Sequence, residues 1–595
     1  MTTSTAQLPS SVLGGARLAV LRSRFDGIAR KMANAVLRAG RSGVLNRAKD
    51  LSCAIVTPDC RLLTAADSLP IHVLSGPDLM ARAMHDFHPE LRRGDAFLHN
   101  SPYHGCSHAA DHTVLVPVID EVGVHHFTVL VKAHQADIGD SAPTTYFAGA
   151  RDVYEEGALI FPAVRVQQDY RTNEDIVRMC RARIRVPDQW YGDFLAMVGA
   201  ARTGERALLA LGEELGWDLL RSFSDQWIDY GRRRAEAAIA ALPDGVAHGS
   251  STHDPMPGTP PDGVRVTATV TLKPAERRIV VDLRDNLDVL PCGLNVSEAC
   301  ARTAALIGIF NGLDADIPKN AGSLSRVDVL IRDNSTIGGG RHPVSFSVAT
   351  TNLADRIVAA VQMAMGTLCA EAVAEVGSVN PPHKGVVSGS DPRSGQAYIN
   401  QLFLGSTGGP ASRHGDAWLT YSHAGNGGLC FIDSIEMAEL HHPIRIHSRR
   451  LLTDSEGAGE HCGAPSLEVE LGPTLSQMQI AYVSDGVSNP AQGVRGGTAG
   501  GPAAQSVRRR YGAAEAIAPV GRVVLEPGDT VLSVGTGGGG YGAAFRRSVE
   551  AVAADVRDRR VSTARAAEVY GVSLDAAGTV DLDETARLRR TKEVE

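Results

Sequence analysis

The sequence has no paired-cysteine pattern. Its nine cysteines are scattered, odd in number and form no C-x-x-C, so neither a disulfide framework nor a zinc ribbon is expected. No apolar run approaches the roughly 18 residues that a membrane span needs. The first twenty residues lack an apolar core behind a charged start, so they do not read as a secretion signal. Basic residues are not in excess: 59 Lys and Arg stand against 67 Asp and Glu, a net charge of -8. That argues against a nucleic-acid surface or a basic membrane patch. The expectation is a soluble cytoplasmic protein with no nucleic-acid or membrane partner. Neither G-x-x-x-x-G-K-[ST] nor H-E-x-x-H occurs, so no ATP-binding P-loop and no zincin motif is present. Aromatics are scarce at 5% and glycines abundant at 62, which points to many tight turns and close backbone approaches.

What is present is a 595-residue chain, long enough for two or more cores or one very large one. Residues 1–14 read as a small, polar, disordered lead. Arg17–Leu37 has apolar residues at helical spacing. Lys49–Leu63 alternates around a Pro-Asp turn and reads as a hairpin, and a helix starts near Gly76-Pro77. Helices are expected over Asn173–Arg183, Asp193–Leu211, Ser222–Leu242, Glu298–Phe310 and Thr351–Val376. Strands are expected over Val264–Leu272, Arg278–Leu283, Ser466–Leu471 and Gln479–Ser484. Residues 377–465 read as an irregular, site-building region. Strands and helices come in runs rather than strict alternation, so the fold class is α+β, large and multi-lobed, with antiparallel or mixed sheets and packed helices. The Pro- and Gly-rich stretch 243–263 marks a linker. It separates an N-terminal lobe, 1–242, from a C-terminal lobe, 264–573, followed by a tail, 574–595.

The densest chemistry lies between His99 and Gly139, where His-x-x-Asp occurs twice, as His108/Asp111 and His134/Asp137. Two Val/Leu-rich runs, Thr113–Ile119 and Phe127–Lys132, flank a polar turn and read as a β-hairpin. With the turn near Glu121 and Val122, His134 falls opposite roughly residue 109, so both groups meet at the hairpin's open end. Imidazole and carboxylate converging there suit a divalent cation; the plain alternative is a pair of solvated strand ends. Asp50 and His72 stand at nearby strand or loop ends. Cys106 reads as a small buried residue. The loop Thr536–Gly542 (TGGGGYG) reads as a structural turn rather than a phosphate cradle. Arg413–Arg450, with five histidines, reads as a polar cleft wall reaching back toward the hairpin.

Several ordered segments resemble the hydantoinase B/oxoprolinase family: KDLSCAI, LPIHVLS, HNSPYHGCSHAAD, KAHQADIGD, YEEGALIFP, IEMAELHHPIRI, LTDSEGAGEHCGAPS and LEPGDTVLSVGTGGGGYG. The resemblance implies a divalent metal, Zn, Mn or Fe, on Asp50, His108, Asp111 and His134. It places Asp137 and Glu156 where they would orient water or substrate, with Asp137 the candidate base and His72 its substitute. It also implies a hetero-oligomer with a hydantoinase A-like subunit that binds ATP, and a small-molecule substrate. The expected activity is ATP-dependent opening of a cyclic amide such as a hydantoin, lactam or oxoproline-like compound. Alternatives are a subunit of an ATP-dependent ketone carboxylase and a non-catalytic scaffold. Departures from the family pattern fall at Ser101, Cys106, Asp140, Glu456, His461 and Cys462.

Overall fold

A computed structural model describes residues 12–65, 68–371, 373–377, 379–575 and 577–594; the leading residues 1–11 lie outside it. The fold is α+β, with helices packed on antiparallel and mixed sheets. Its first sheet has seven strands: β1 (Leu51–Val56), β2 (Leu62–Thr64), β3 (Ala96–His99), β4 (Asp111–Ile119), β5 (His125–His134), β6 (Val164–Gln168) and β7 (Arg171–Thr172). They run in the order β2-β1-β5-β4-β3-β6-β7.

The β4–β5 pair is the expected hairpin. Asp120 closes its turn by accepting from the Val122 and Val124 amides at 3.1 and 2.8 Å. All nine residues of β4 are buried, which explains apolar runs without alternation: both sheet faces are covered. Val114, Val116, Val129 and Val131 face one large core. Leu115 and Leu130 face the other way, onto Met80 and Met84 of the helix Pro77–Phe87. The helix Gly15–Ala39 presents Leu21, Phe25, Ile28, Met32 and Val36 to the first core. Phe25 meets Phe127 edge-on and stacks on Phe223, with ring centroids 5.4 and 5.0 Å away. Burying such a ring contributes about 2–3 kcal/mol.

The stretch 243–263 departs from its reading as a linker. Residues 245–253 form β8 (Gly245–His253), paired along its length with β9 (Val264–Lys273). With β10 (Arg278–Asp282) and β11 (Val327–Leu330) they make a second sheet, in which β10 and β11 run parallel. A Cβ at Gly249 would lie 2.0 Å from the Ala360 carbonyl oxygen. Glycine there lets the buried helix Leu353–Leu368 sit directly on the sheet. One hydrophobic cluster takes in residues on both sides of 243–263.

Residues 377–465 are also more regular than their composition indicates. They supply β12 (Val386–Asp391), β13 (Gln396–Gln401) and β14 (Ile444–Leu451). These join two further sheets with β15 (Leu467–Pro473), β16 (Met478–Val483), β17 (Ala504–Arg508), β18 (Ala514–Ala516), β19 (Val520–Leu525) and β20 (Thr530–Val534). The orders are β13-β12-β16-β19 and β14-β15-β20-β17-β18, and a shared core of Val387, Ile446, Val469, Leu471, Ile480 and Val531 joins them. The expected tail carries a helix, Leu582–Val594.

Candidate metal centre

The β4–β5 register pairs Asp111 with His134, so the open end of the hairpin places a carboxylate beside an imidazole. His108 lies three residues before Asp111, in the turn that enters β4. His108 Nε2 and His134 Nδ1 each stand 3.1 Å from Asp111 Oδ1. Ligand atoms of these three residues all lie within 4.8 Å of one another, and among the described residues they are the only such group able to hold a metal ion. All three are buried.

The hydrogen bonds fix which nitrogens face inward. His108 Nδ1 stands 2.9 Å from the Ser347 carbonyl oxygen. A carbonyl only accepts, so Nδ1 carries the proton and Nε2 of the neutral ring offers a lone pair. Nε2 has no hydrogen-bond partner although fully buried, and Asp111 Oδ1 is 3.1 Å away. Burial lowers the His108 pKa, but the Asp111 carboxylate beside it wins and raises it, so the pair suits either a cation between two ligands or a protonated ring facing the carboxylate. His134 uses Nε2 on the Thr145 hydroxyl at 3.1 Å, which leaves Nδ1 for the centre. Tyr146 stacks on both rings, 5.8 and 5.3 Å between centroids. Ser107 donates to Asp111 Oδ2, and Lys132 Nζ donates to Ser107 at 3.1 Å. Burial raises the Asp111 carboxyl pKa, but His108 and His72 beside it win and hold it well below the usual carboxylate range.

His72 joins this cluster. Its Nε2 is 3.2 Å from Asp111 Oδ2 and 3.6 Å from Asp50 Oδ1, and its Nδ1 is 3.1 Å from Ser52 Oγ. Asp50 therefore stands at the edge of the group, behind His72. Asp137 does not join it. Its oxygens accept from the Gly139 amide at 3.0 Å and from the Arg185 amide and guanidinium at 2.6 and 3.1 Å. A carboxylate committed to three donors is a poor general base, so the structure does not favour that role. Asp137→Asn should cost about 1–3 kcal/mol of stability, read in denaturant, while bound metal stays at the level of the parent. Loss of turnover at unchanged stability would restore Asp137 as the base.

Glu156 lies outside the three-residue group, in the one-turn helix Val153–Glu156. Ser345 Oγ donates to its Oε2 at 2.6 Å, two residues from the Ser347 carbonyl that orients His108. Burial pushes its carboxyl up to about 7, against the opposing pull of Ser345 and His108. Cys106 is a core residue with its thiol 3.2 Å from the Asp111 carbonyl oxygen, and burial raises its pKa.

The Arg413–Arg450 segment does reach the approach to the site. Phe431 donates its amide to the Ala48 carbonyl at 2.8 Å, Lys49 lies 5.4 Å from the Phe431 ring, and Arg47 pairs with Asp433 at 3.2 Å. Its histidines disperse: His414 pairs with Glu371, His423 with Asp355, and His442 approaches Arg47. In the TGGGGYG loop the amides of Gly537, Gly538, Gly539 and Gly540 donate to the carbonyls of Gly501, Ala464, Glu375 and Thr498 at 2.9–3.0 Å. No amide in that run is left to cradle a phosphate.

Ser107, Lys132, Thr145, Tyr146 and Ser347 escape sequence reasoning because no motif marks them. Thr145 and Tyr146 could have been suspected from their place just beyond the second His-x-x-Asp.

Comparison with known proteins agrees with this architecture. The hydantoinase B/oxoprolinase family model matches residues 15–544. The beta chain of caprolactamase from Pseudomonas jessenii is 28% identical over 95% of this chain and 97% of its own. The B component of a putative D-/L-hydantoinase from Pseudomonas sp. is 26% identical over 96% and 97%. The crystal structure of the ATP-dependent caprolactamase from Pseudomonas jessenii superposes with a TM-score of 0.87 at 26% identity, covering 98% of this chain and 100% of that one. Nucleotide-free acetone carboxylase shares the fold, with a TM-score of 0.87 at 16% identity over 97% of this chain and 82% of that one. With a family model spanning most of its length, this chain belongs to the hydantoinase B/oxoprolinase family.

Proposed function

We propose that the chain is the carbonyl-hydrolysing subunit of an ATP-dependent cyclic amide hydrolase, acting in the cytoplasm in a hetero-oligomer with an ATP-binding subunit of the hydantoinase A type. The observation that carries the reading is the buried convergence of His108 Nε2, Asp111 Oδ1 and His134 Nδ1. These three residues would hold one divalent cation, Zn, Mn or Fe, with Asp50 and His72 at its edge. Such an ion polarises a carbonyl and lowers the pKa of water toward 7. An unstrained lactam is a poor electrophile, so ATP spent on the partner would phosphorylate the carbonyl oxygen first. His72 is the base that remains once Asp137 is tied to Arg185: its Nε2 stands 3.2 Å from Asp111 Oδ2 and 3.6 Å from Asp50 Oδ1. As the C–N bond breaks, the leaving nitrogen takes a proton. Glu156, holding its proton up to about pH 7, is the donor.

The names of the relatives, a caprolactamase and a hydantoinase, support a cyclic amide as substrate. The test is ATP hydrolysis by the purified complex against a panel of lactams, hydantoins and 5-oxoproline. Dependence on a ketone plus bicarbonate instead would overturn the reading in favour of carboxylation. A stable complex with neither activity and no metal would leave a scaffold. With the right substrate, turnover should fall as pH rises through about 7, because the Glu156 proton is lost. Glu156→Gln should lower turnover by about 100-fold and abolish that limb of the pH profile.

A further inference from the structure

Lys384 is 1% exposed, among the largest fully buried side chains of the protein. It ends the 3₁₀ turn Pro382–Lys384 that leads into β12. Its Nζ donates to the Ser422 carbonyl and hydroxyl, each at 3.0 Å, and stands 5.9 Å from the Phe403 ring. An ammonium has three protons to donate, so one is left over. Among the described residues no carboxylate pairs with it. Asp355 turns Oδ1 elsewhere, to the Gly425 amide at 3.3 Å and the His423 ring at 3.4 Å. Nor does the Ser422 carbonyl depend on this donor, since the Thr407 hydroxyl donates to it as well. A buried charge without a counter-charge is costly to a fold. The lysine lies on the wall that packs against the metal centre. Three residues beyond Ser422, a Cβ at Gly425 would lie 3.2 Å from Ile71 Cβ, and one at Gly427 3.2 Å from Pro70 Cγ. Both belong to the short helix Pro70–Val73 that carries His72. Further along the same segment, the Phe431 amide donates to the carbonyl of Ala48, two residues before Asp50.

We propose that the Lys384 ammonium, presented by Ser422, is the anion-binding residue for the phosphoryl group of the activated cyclic amide. The inference rests on the phosphorylated intermediate of the reaction proposed above. A plain lactam carries no charge, whereas phosphorylation of its carbonyl oxygen adds about two negative charges. A compact ammonium suits phosphoryl oxygens. The third proton of Lys384 goes to one of them, and the ligand supplies the counter-charge that the fold withholds. Unactivated substrate leaves this donor unmet, so Lys384 discriminates between the two. Burial lowers the Lys384 pKa to about 8 against the pull of Cys430, Asp355 and Asp50, so the ammonium is still the main form at neutral pH.

The probe is inorganic phosphate, titrated calorimetrically into the full chain, which needs neither ATP nor the partner. The parent should bind it saturably and should not bind acetate at the same ionic strength. Lys384→Gln removes the charge and keeps a donor for Ser422. It should weaken phosphate binding at least about tenfold with metal content unchanged, and it should melt no lower than the parent, because an unpaired buried charge is gone. In the active complex, phosphate should inhibit the variant at least about tenfold less well than the parent. If Lys384→Gln folds poorly, Lys384→Met, apolar and of similar length, should show the same loss. Phosphate binding equal in parent and variant would assign the anion to another group, such as the metal, and overturn the proposal. So would the absence of saturable binding by the parent, or acetate bound as well as phosphate. The substrate panel separates the two readings. Turnover of no cyclic amide would sink the proposed function and leave the phosphate titration standing, whereas an active hydrolase whose phosphate affinity ignores Lys384→Gln would sink this inference alone.

Discussion

Under the proposed function, replacing His108 with Ala should abolish binding of a divalent metal and lower turnover of a cyclic amide by more than about 100-fold. Residues one step behind a ligand already cost about 10–100-fold in metal affinity or activity, and His108 stands in the ligand set itself. The substitution removes the one ring whose tautomer the backbone dictates, through the Ser347 carbonyl. It also leaves the fully buried Asp111 carboxylate with His72, His134 and Ser107 as its remaining partners. Elemental analysis of protein purified without chelator is the direct measurement, and circular dichroism controls for folding. Retention of stoichiometric metal and turnover by a folded His108→Ala protein would rule out this centre. His108→Gln is a useful companion, because it restores a polar side chain without an imidazole lone pair and should fail equally.

The hairpin that carries this centre is the part of the molecule most legible in the sequence. Its two Val-rich runs and polar turn predict β4 and β5, and the expected partner of His134, near residue 109, lies two positions from the observed Asp111. The offset comes from a turn longer than the minimum, held by Asp120, with a shift in register at Val118 and Ile119. Local spacing brings Asp111 and His134 together because strand pairing is what joins them. It fails for Asp137, whose fate is decided by Arg185, 48 residues away. It fails also for Ser347, 239 residues from His108; nothing in a serine's surroundings announces a carbonyl that orients a ligand. The stretch 243–263 misleads for another reason. Pro and Gly crowd its second half, 254–263, while 245–253, whose pattern is neither strongly apolar nor strictly alternating, become a strand because β9 and the helix Leu353–Leu368 lie beside them. Tertiary context outweighs propensity there. Residues 377–465 hide β12–β14 similarly, as short strands between Gly- and His-rich loops.

Gly538→Ala should be strongly destabilising, costing about 3–5 kcal/mol and shifting the denaturant midpoint sharply downward. A Cβ at this position would lie 1.9 Å from the Gly409 carbonyl oxygen and 2.6 Å from its carbon. Both are backbone atoms with no rotamer to yield. The segment is also locked on its other sides: the Gly538 amide donates to Ala464 at 2.9 Å, and its carbonyl accepts from Gly457 at 3.0 Å. A Cβ at Gly463 would meet the Gly538 oxygen at 2.0 Å, and one at Gly500 the Gly537 oxygen at 2.3 Å. Four chain segments thus meet backbone to backbone, and the glycines are required by that contact. The control is Gly199→Ala, in the helix Pro187–Leu215, where a Cβ meets nothing within 4 Å. There the change should stabilise by up to about 1 kcal/mol. The pair separates two meanings of a glycine-rich loop. A phosphate cradle would lose nucleotide affinity on Gly538→Ala and keep its fold, because its amides point at a ligand. Here every amide from Gly537 to Gly540 already points at a carbonyl, so the loss should register as unfolding, and an unchanged midpoint would show that the contact is looser than these distances allow.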